Sequence, residues 1–269
     1  MSDSHPKIRL VVFDWAGTAV DFGCFAPVAP FIEAFAQHGV KVTPTQARGP
    51  MGLHKKDHIR TLFQLPDIAG QWQSVQGKPW TEEDVERLFQ DHFIPTQMRA
   101  IGNHAGVIPG LLDCVRELRS RGIKIATTTG YFKAAAEQVY KAAAEQGYHP
   151  DANLCAEDVP QGRPAPWMIF RHMETQGVYP ANRVLKVGDT VPDIEEGLNA
   201  SVWSAGVTHS SSGVGLTAEE FAALSEAERA EKVAAVKTSL EKAGAHDVID
   251  TVAQVPSLVD KINARLRSV

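Results

Sequence analysis

Several short stretches combine residue types that can do chemistry together. Phe13-Asp14-Trp15-Ala16-Gly17-Thr18 sets a carboxylate just before a glycine turn, where it can act as a nucleophile or hold a metal. An aspartate that merely caps a turn has the same local pattern, so this stretch alone decides nothing. Thr127-Thr128-Thr129-Gly130 offers hydroxyls and backbone N–H groups to the oxygens of a phosphate-like anion. Gly162-Arg163-Pro164 adds a cation in a loop. Val187-Gly188-Asp189-Thr190-Val191-Pro192-Asp193 places two carboxylates four residues apart, a donor set suited to Mg²⁺. A metal and a guanidinium together would neutralise such an anion so that a carboxylate could approach it.

A further group is Met51-Gly52-Leu53-His54-Lys55-Lys56-Asp57-His58. His54 and His58 have the spacing of a zinc-binding helix, but Lys55 stands where that signature needs Glu, and two adjacent ammonium groups oppose a dication. The other reading is a catalytic amine. At about 100° per residue, Ile59, Leu62 and Phe63 form one apolar face. Lys55 falls within it, His58 beside it and Lys56 on its edge. Most lysines so placed snorkel to water. One kept from water would have its pKa lowered from about 10.4 towards the range an imine-forming amine needs.

The elements that must position these residues alternate. Ile8–Phe13, Ile123–Thr128, Arg183–Val187 and Val202–Val207 read as buried strands, and helical patterns cover roughly 109–121, 131–147, 166–177 and 192–200. Strands alternating with helices imply crossover units and a doubly wound parallel sheet, an α/β class whose functional loops follow the strands' carboxyl ends. That directs attention to the loops after Phe13, Thr128, Cys155 and Val187. Residues 25–101 break the alternation with consecutive helices: after Pro27, over 53–63, over 67–76 and over 81–98. Thr81-Glu82-Glu83-Asp84 caps the last. This block reads as a helical cap over 23–101, inserted into a core of 1–22 and 102–269. The near-repeat of Lys133–Tyr140 in Lys141–Tyr148 is good helix material rather than a repeat architecture, and 217–243 reads as a solvated, charged helical region.

The order strand-Asp, strand-Thr, basic loop, strand-Gly-Asp-x-x-x-Asp resembles the haloacid dehalogenase superfamily, whose Rossmann-like core carries an inserted cap. In that superfamily the first Asp attacks phosphorus. Its phosphatases place a second Asp two residues later to protonate the leaving oxygen; here that position is Ala16. Asp14–Thr18, Asp21–Pro27, Met51–Lys55 with His58, Thr128–Tyr131, Asp158–Pro164, Pro166–Met168 and Lys186–Thr190 are together similar to the phosphonoacetaldehyde hydrolase family across nearly the whole chain. The resemblance implies cleavage of a carbon–phosphorus bond, with Mg²⁺ held by the side chains of Asp14 and Asp189 and by the carbonyl of Ala16. Asp193 would support that site from behind. Asp14 would be the nucleophile, Lys55 the imine-forming amine and His58 the proton carrier. Thr129, Gly130 and Arg163 would hold the phosphonate, while Met51, Cys24 and Tyr131 would line the pocket. An enamine leaving group has no oxygen to protonate, so Ala16 costs that reaction nothing. The family also implies a homodimer through the cap.

Composition narrows the alternatives. The 269 residues carry 27 Lys and Arg against 32 Asp and Glu, a net charge of −5, with no electrostatic footprint for nucleic acid or an anionic membrane. Cys24, Cys114 and Cys155 are odd in number and widely spaced, which argues against a disulfide framework. With no signal-peptide pattern in the first residues and no membrane-length apolar run, the expectation is a cytoplasmic protein. Two other functions remain open: a phosphatase or mutase acting on a phosphate ester, opposed by Ala16 and Lys55, and a binding protein on the same fold, for which the retained Asp14, Lys55, Arg163 and Asp189 would be superfluous.

Overall fold

The computed structural model describes residues 7–268; Met1–Pro6, part of the N-terminal stretch without a signal-peptide pattern, lie outside them. Six strands, β1 (Leu10–Asp14), β2 (Lys124–Thr129), β3 (Ala152–Cys155), β4 (Val184–Gly188), β5 (Trp203–Val207) and β6 (Asp247–Ile249), form one parallel sheet in the order β3-β2-β1-β4-β5-β6. Every residue of β1 and β4 is buried, as helices on both faces of a parallel sheet require. From β1 the chain winds outward to β3, then returns to β4 on the other side of β1. Helices there lie on opposite faces, which leaves a crevice at the carboxyl ends of β1 and β4. Asp14 ends β1 opposite Thr128 of β2, and Phe13 lies opposite Val187 of β4.

Between β1 and β2 run α1 (Val28–Ala36), α2 (Pro44–Arg48), α3 (Lys55–Phe63), α4 (Pro66–Gln76), α5 (Glu82–Arg87) and α6 (Ile94–Ile101). They share an aromatic core: Phe31 meets Phe93 at 4.4 Å between ring centroids, Phe35 meets Phe63 at 4.8 Å, and Phe63 meets Trp72 at 4.9 Å. The single helix expected over 81–98 is instead α5, a π-helical turn over Leu88–Phe93, and α6. Pro95 lies at the start of α6; without an N–H it cannot continue the ladder and its ring crowds the preceding turn, which the wider π turn accommodates. The chain crosses between sheet and insert twice, and the crossings bond to each other, Ile108 N–H to Ala19 O at 2.9 Å and Asp21 N–H to Gly106 O at 3.0 Å.

The remaining helices are α7 (Leu111–Ser120), α8 (Lys133–Glu145), α9 (Trp167–Gln176), α10 (Val191–Asn199), α11 (Ala218–Ala223), α12 (Glu226–Lys242) and α13 (Val255–Arg267). The region 217–243 is thus two helices, and it is not only a solvated face. Val236 and Leu240 of α12 are buried with Ile194, Val214 and Phe221. No described helix is long and apolar enough to cross a membrane.

Candidate active site

The crevice brings the separated chemical groups together. Asp14 leaves β1, Thr129 leaves β2, and Asp189 follows β4, so neighbouring strand ends supply neighbouring side chains. Gly17 is the turn that permits it: φ is +91°, and a Cβ there would fall 2.6 Å from Asp189 Oδ2. The carboxylates of Asp14, Asp189 and Asp193 are buried and offer oxygens that all lie within 4.8 Å of one another.

Their environments differ. Burial, then the Asp193 charge, pushes the Asp14 carboxyl upward despite Arg163 and Lys186. Asp189 is pushed well above the usual range by burial, Asp14 and Asp193. Among the described residues it meets only neutral donors, Thr18 Oγ1 at 3.1 Å and Ser212 N–H at 2.8 Å. Burial would also raise Asp193, but Arg163 and Lys186 more than reverse this and hold it low. A carboxylate pair short of positive charge, made of hard oxygen donors, fits a divalent cation.

Arg163 is committed to protein partners. Nη1 lies 2.8 Å from Asp14 Oδ1 and 2.9 Å from Asp193 Oδ1, Nε donates to Glu196 Oε2 at 3.0 Å, and Nη2 donates to Thr128 O and Oγ1 at 2.7 and 2.6 Å. Beneath it Lys186, fully buried, reaches Asp193 Oδ1 at 2.8 Å, Glu196 Oε2 at 3.2 Å and Thr128 Oγ1 at 2.9 Å. Sequence reading assigned no part to Lys186 or Glu196. Two signals were present: a lysine interrupting the apolar run Val184–Val187 needs a buried partner, and Glu196 follows Asp193 by three residues, on the same face of α10.

The insert lowers one loop and one helix onto this crevice. A cavity of about 20 Å³ is lined by Asp14, Ala16, Cys24, Met51, Lys55, Thr129, Gly130, Tyr131 and Arg163, with Gly52 and Thr190. The backbones approach closely at Gly130, where a Cβ would fall 2.4 Å from Leu53 O. Lys55 is buried with Ile59, Leu62 and Phe63 of α3, and its Nζ lies 4.9 Å from the Tyr131 ring centroid. Among the described residues its ammonium has no carboxylate within ion-pair distance. Burial lowers its pKa, with Cys24 and Asp14 opposing the shift and Arg163 adding to it. Lys56 points away and pairs with Glu86. Burial drives the Cys24 thiol and the Tyr131 hydroxyl well above their ordinary pKa values, so both stay protonated.

His58 does not line the cavity. Its ring stacks on Phe31 at 3.7 Å between centroids, Nε2 lies 2.9 Å from Ala47 O, and burial with the nearby Lys55 charge holds it neutral. That leaves Nδ1 buried without a partner among the described residues. His54, at the start of α3, turns instead towards Asp57 and Phe89. The two histidines are engaged in different directions, which removes the zinc reading of their spacing.

A model of haloacid dehalogenase-like hydrolases matches residues 8–201. Phosphonoacetaldehyde hydrolase of Syntrophobacter fumaroxidans is 44% identical over 95% of this chain and 92% of its own length. The chain belongs to the phosphonoacetaldehyde hydrolase family of the haloacid dehalogenase-like hydrolases. The Bacillus cereus member is 43% identical over 95% of this chain and 97% of its own. A solved phosphonoacetaldehyde hydrolase-like protein from Oleispira antarctica superposes with a TM-score of 0.94 at 41% identity, covering 97% of this chain and 94% of that one. Family membership accounts for both the parallel-sheet core and the helical cap over its carboxyl edge.

Proposed function

We propose that this enzyme hydrolyses the carbon–phosphorus bond of phosphonoacetaldehyde, releasing acetaldehyde and phosphate. The observation that carries the reading is a buried amine, Lys55, on the same cavity as the Asp14 carboxylate, while Ala16 leaves no acid beside the nucleophile. A phosphate ester would need that acid for its alkoxide; an enamine does not.

The neutral Lys55 amine would add to the aldehyde and lose water, giving a protonated imine that can accept an electron pair. Asp14 would then attack phosphorus: the Oδ–P bond forms, the P–C bond breaks, and its electrons move into the imine to leave an enamine on Lys55. Protonation at carbon and hydrolysis release acetaldehyde and restore Lys55. Water attacks the aspartyl phosphate, releasing phosphate and restoring Asp14.

Mg²⁺ held by the side chains of Asp14 and Asp189 and the Ala16 carbonyl would supply positive charge to the phosphonate oxygens. Asp193, bonded through Oδ2 to Thr190 N–H at 3.2 Å, would keep the loop between the two aspartates in shape. Thr129 and Gly130 would face the phosphonate. With its nitrogens already engaged, Arg163 would act mainly by neutralising Asp14, turning Nη1 to the phosphonate only as that contact loosens. Cys24, Met51 and Tyr131 would pack around the aldehyde carbon. His58 would take protons at Nδ1 through water rather than by direct contact. A cavity of about 20 Å³ holds roughly one water, so residues 23–101 would have to swing open to admit substrate and close to expel solvent. A homodimer through that cap completes the reading, checked by light scattering.

The test is acetaldehyde release from phosphonoacetaldehyde with Mg²⁺ by wild type and Lys55→Arg, with borohydride trapping of the imine. Activity and trapping in wild type alone support the reading. Equal activity in both proteins removes Lys55 from it, and no activity in either removes the substrate.

A further inference from the structure

Arg48 ends α2, six residues before His54 and the start of α3. Its guanidinium links the start of the insert to the core: Nη1 donates to Gly23 O at 2.6 Å, with Cys24 O at 3.3 Å, and reaches the core at Ser212 O, 3.1 Å away. The Phe25 ring covers one face, 5.0 Å from Cζ, and Gly215 comes so near that a Cβ there would lie 3.0 Å from Nε. No carboxylate among the described residues lies within ion-pair distance of it. The acceptors are neutral carbonyls from the first crossing and from the core loop 209–213, so its site exists only when these segments and α2 are assembled.

Each end of this contact leads to a proposed catalytic group. On the core side, Ser212 N–H donates to Asp189 Oδ2 at 2.8 Å, and Gly23 N–H is itself tied to Ser210 O at 2.9 Å. On the insert side, His58 Nε2 grips the carbonyl of Ala47, the residue before Arg48, which welds α2 to the helix carrying Lys55. One residue therefore separates Arg48 from Asp189, and one turn of α3 separates the weld from Lys55. Beside Arg48 a cavity of about 140 Å³, lined also by Met51 and Ser212, reaches Asp189.

We propose that Arg48 is a positioning residue that fastens the insert to the loop holding Asp189, so that Lys55 and the metal-binding carboxylates are brought into register together. This rests on the function proposed above and deepens it. Hydrogen bonds from a charged donor to neutral carbonyls are strong enough to favour closure and weak enough to break at each turnover. Without the guanidinium, the loop 49–54 would loosen and the 140 Å³ cavity would open towards Asp189.

The test compares wild type with Arg48→Ala and Arg48→Lys on phosphonoacetaldehyde, together with amide hydrogen exchange over 49–55 in the protein without substrate. For Arg48→Ala the expected results are a kcat lower by about 10–100-fold, a several-fold higher Mg²⁺ concentration for half-maximal rate, and faster exchange over 49–55. Arg48→Lys should recover part of each effect, and ethylguanidinium should recover part of the Arg48→Ala rate together with its Mg²⁺ requirement, a paired response that a general loss of stability would not give. If Arg48→Ala fails to fold, Arg48→Lys carries the comparison. Wild-type exchange and Mg²⁺ requirement in the folded variants would overturn the proposal. A wild type inactive on phosphonoacetaldehyde would overturn the substrate reading instead, with the exchange measurement still deciding Arg48.

Discussion

Among the described residues two lysines are buried, and their surroundings are opposite. Lys186, in the middle of β4, is enclosed by Asp193, Glu196 and Thr128. Lys55, at the start of α3, lies on that helix's own apolar face beside the Tyr131 ring, with no carboxylate in ion-pair reach among the described residues. The first arrangement keeps a charge in place; the second penalises one. A buried ammonium with partners is a strut, whereas a buried ammonium without them is driven towards the neutral amine that can attack a carbonyl.

This contrast can be broken at either lysine. If the proposed covalent step runs through Lys55, Lys55→Met should abolish turnover of phosphonoacetaldehyde, by at least about 10³-fold. Its thermal midpoint should stay equal or rise, because an unpaired buried amine is replaced by an apolar side chain of similar length. Lys186→Met should do the reverse in stability. It strands Asp193 and Glu196 against Arg163 alone and should cost about 3–5 kcal/mol, read by urea denaturation. If Lys55→Met destabilised the fold as much as Lys186→Met, the two sites would not differ in kind.

The pH dependence sharpens the comparison. The ordinary lysine value is 10.5, and the folded value for Lys55 lies below it. Activity should therefore rise with pH along an acid limb centred below 10.5, since the neutral amine is the reacting form in the proposed mechanism. Between the lowered folded value and 10.5 the unfolded chain binds the extra proton, so this group makes stability increase with pH across that window. Lys55→Met should flatten that slope, measured as the difference in unfolding free energy between wild type and variant at several pH values. The smallest effect is expected at the neighbour: Lys56, half-exposed and paired with Glu86, should tolerate Ala with less than about 1 kcal/mol lost and turnover within a few-fold.

The sequence carried the site further than it carried the scaffold around it. Asp14 and Asp189 were legible because each follows an apolar strand, and Thr129 because Thr127-Thr128-Thr129-Gly130 closes another; strand ends in a parallel sheet share one edge. Lys55 was legible from helical phase, since Ile59, Leu62 and Phe63 mark the face that must be buried and Lys55 falls within it while Lys56 lies on its edge. The short strand β6 and helix α2 were not legible. Three and five residues respectively are too few to display a period, and their neighbours hold them in place. The break between α5 and α6 needed the packing of the insert to show how the chain accommodates Pro95.

Residue order and type alone determined the α/β winding, the helical insert, the missing acid at Ala16 and the set of groups able to meet a phosphonate. These come from local periodicity and from chemistry that each side chain carries wherever it sits. Only the tertiary structure decided which of those groups are already engaged. Arg163 has its nitrogens committed, His58 is turned to Ala47, and Lys186 with Glu196 underlies the site. Charge compensation in a buried crevice depends on distances between segments far apart in the chain, and no local pattern encodes those distances.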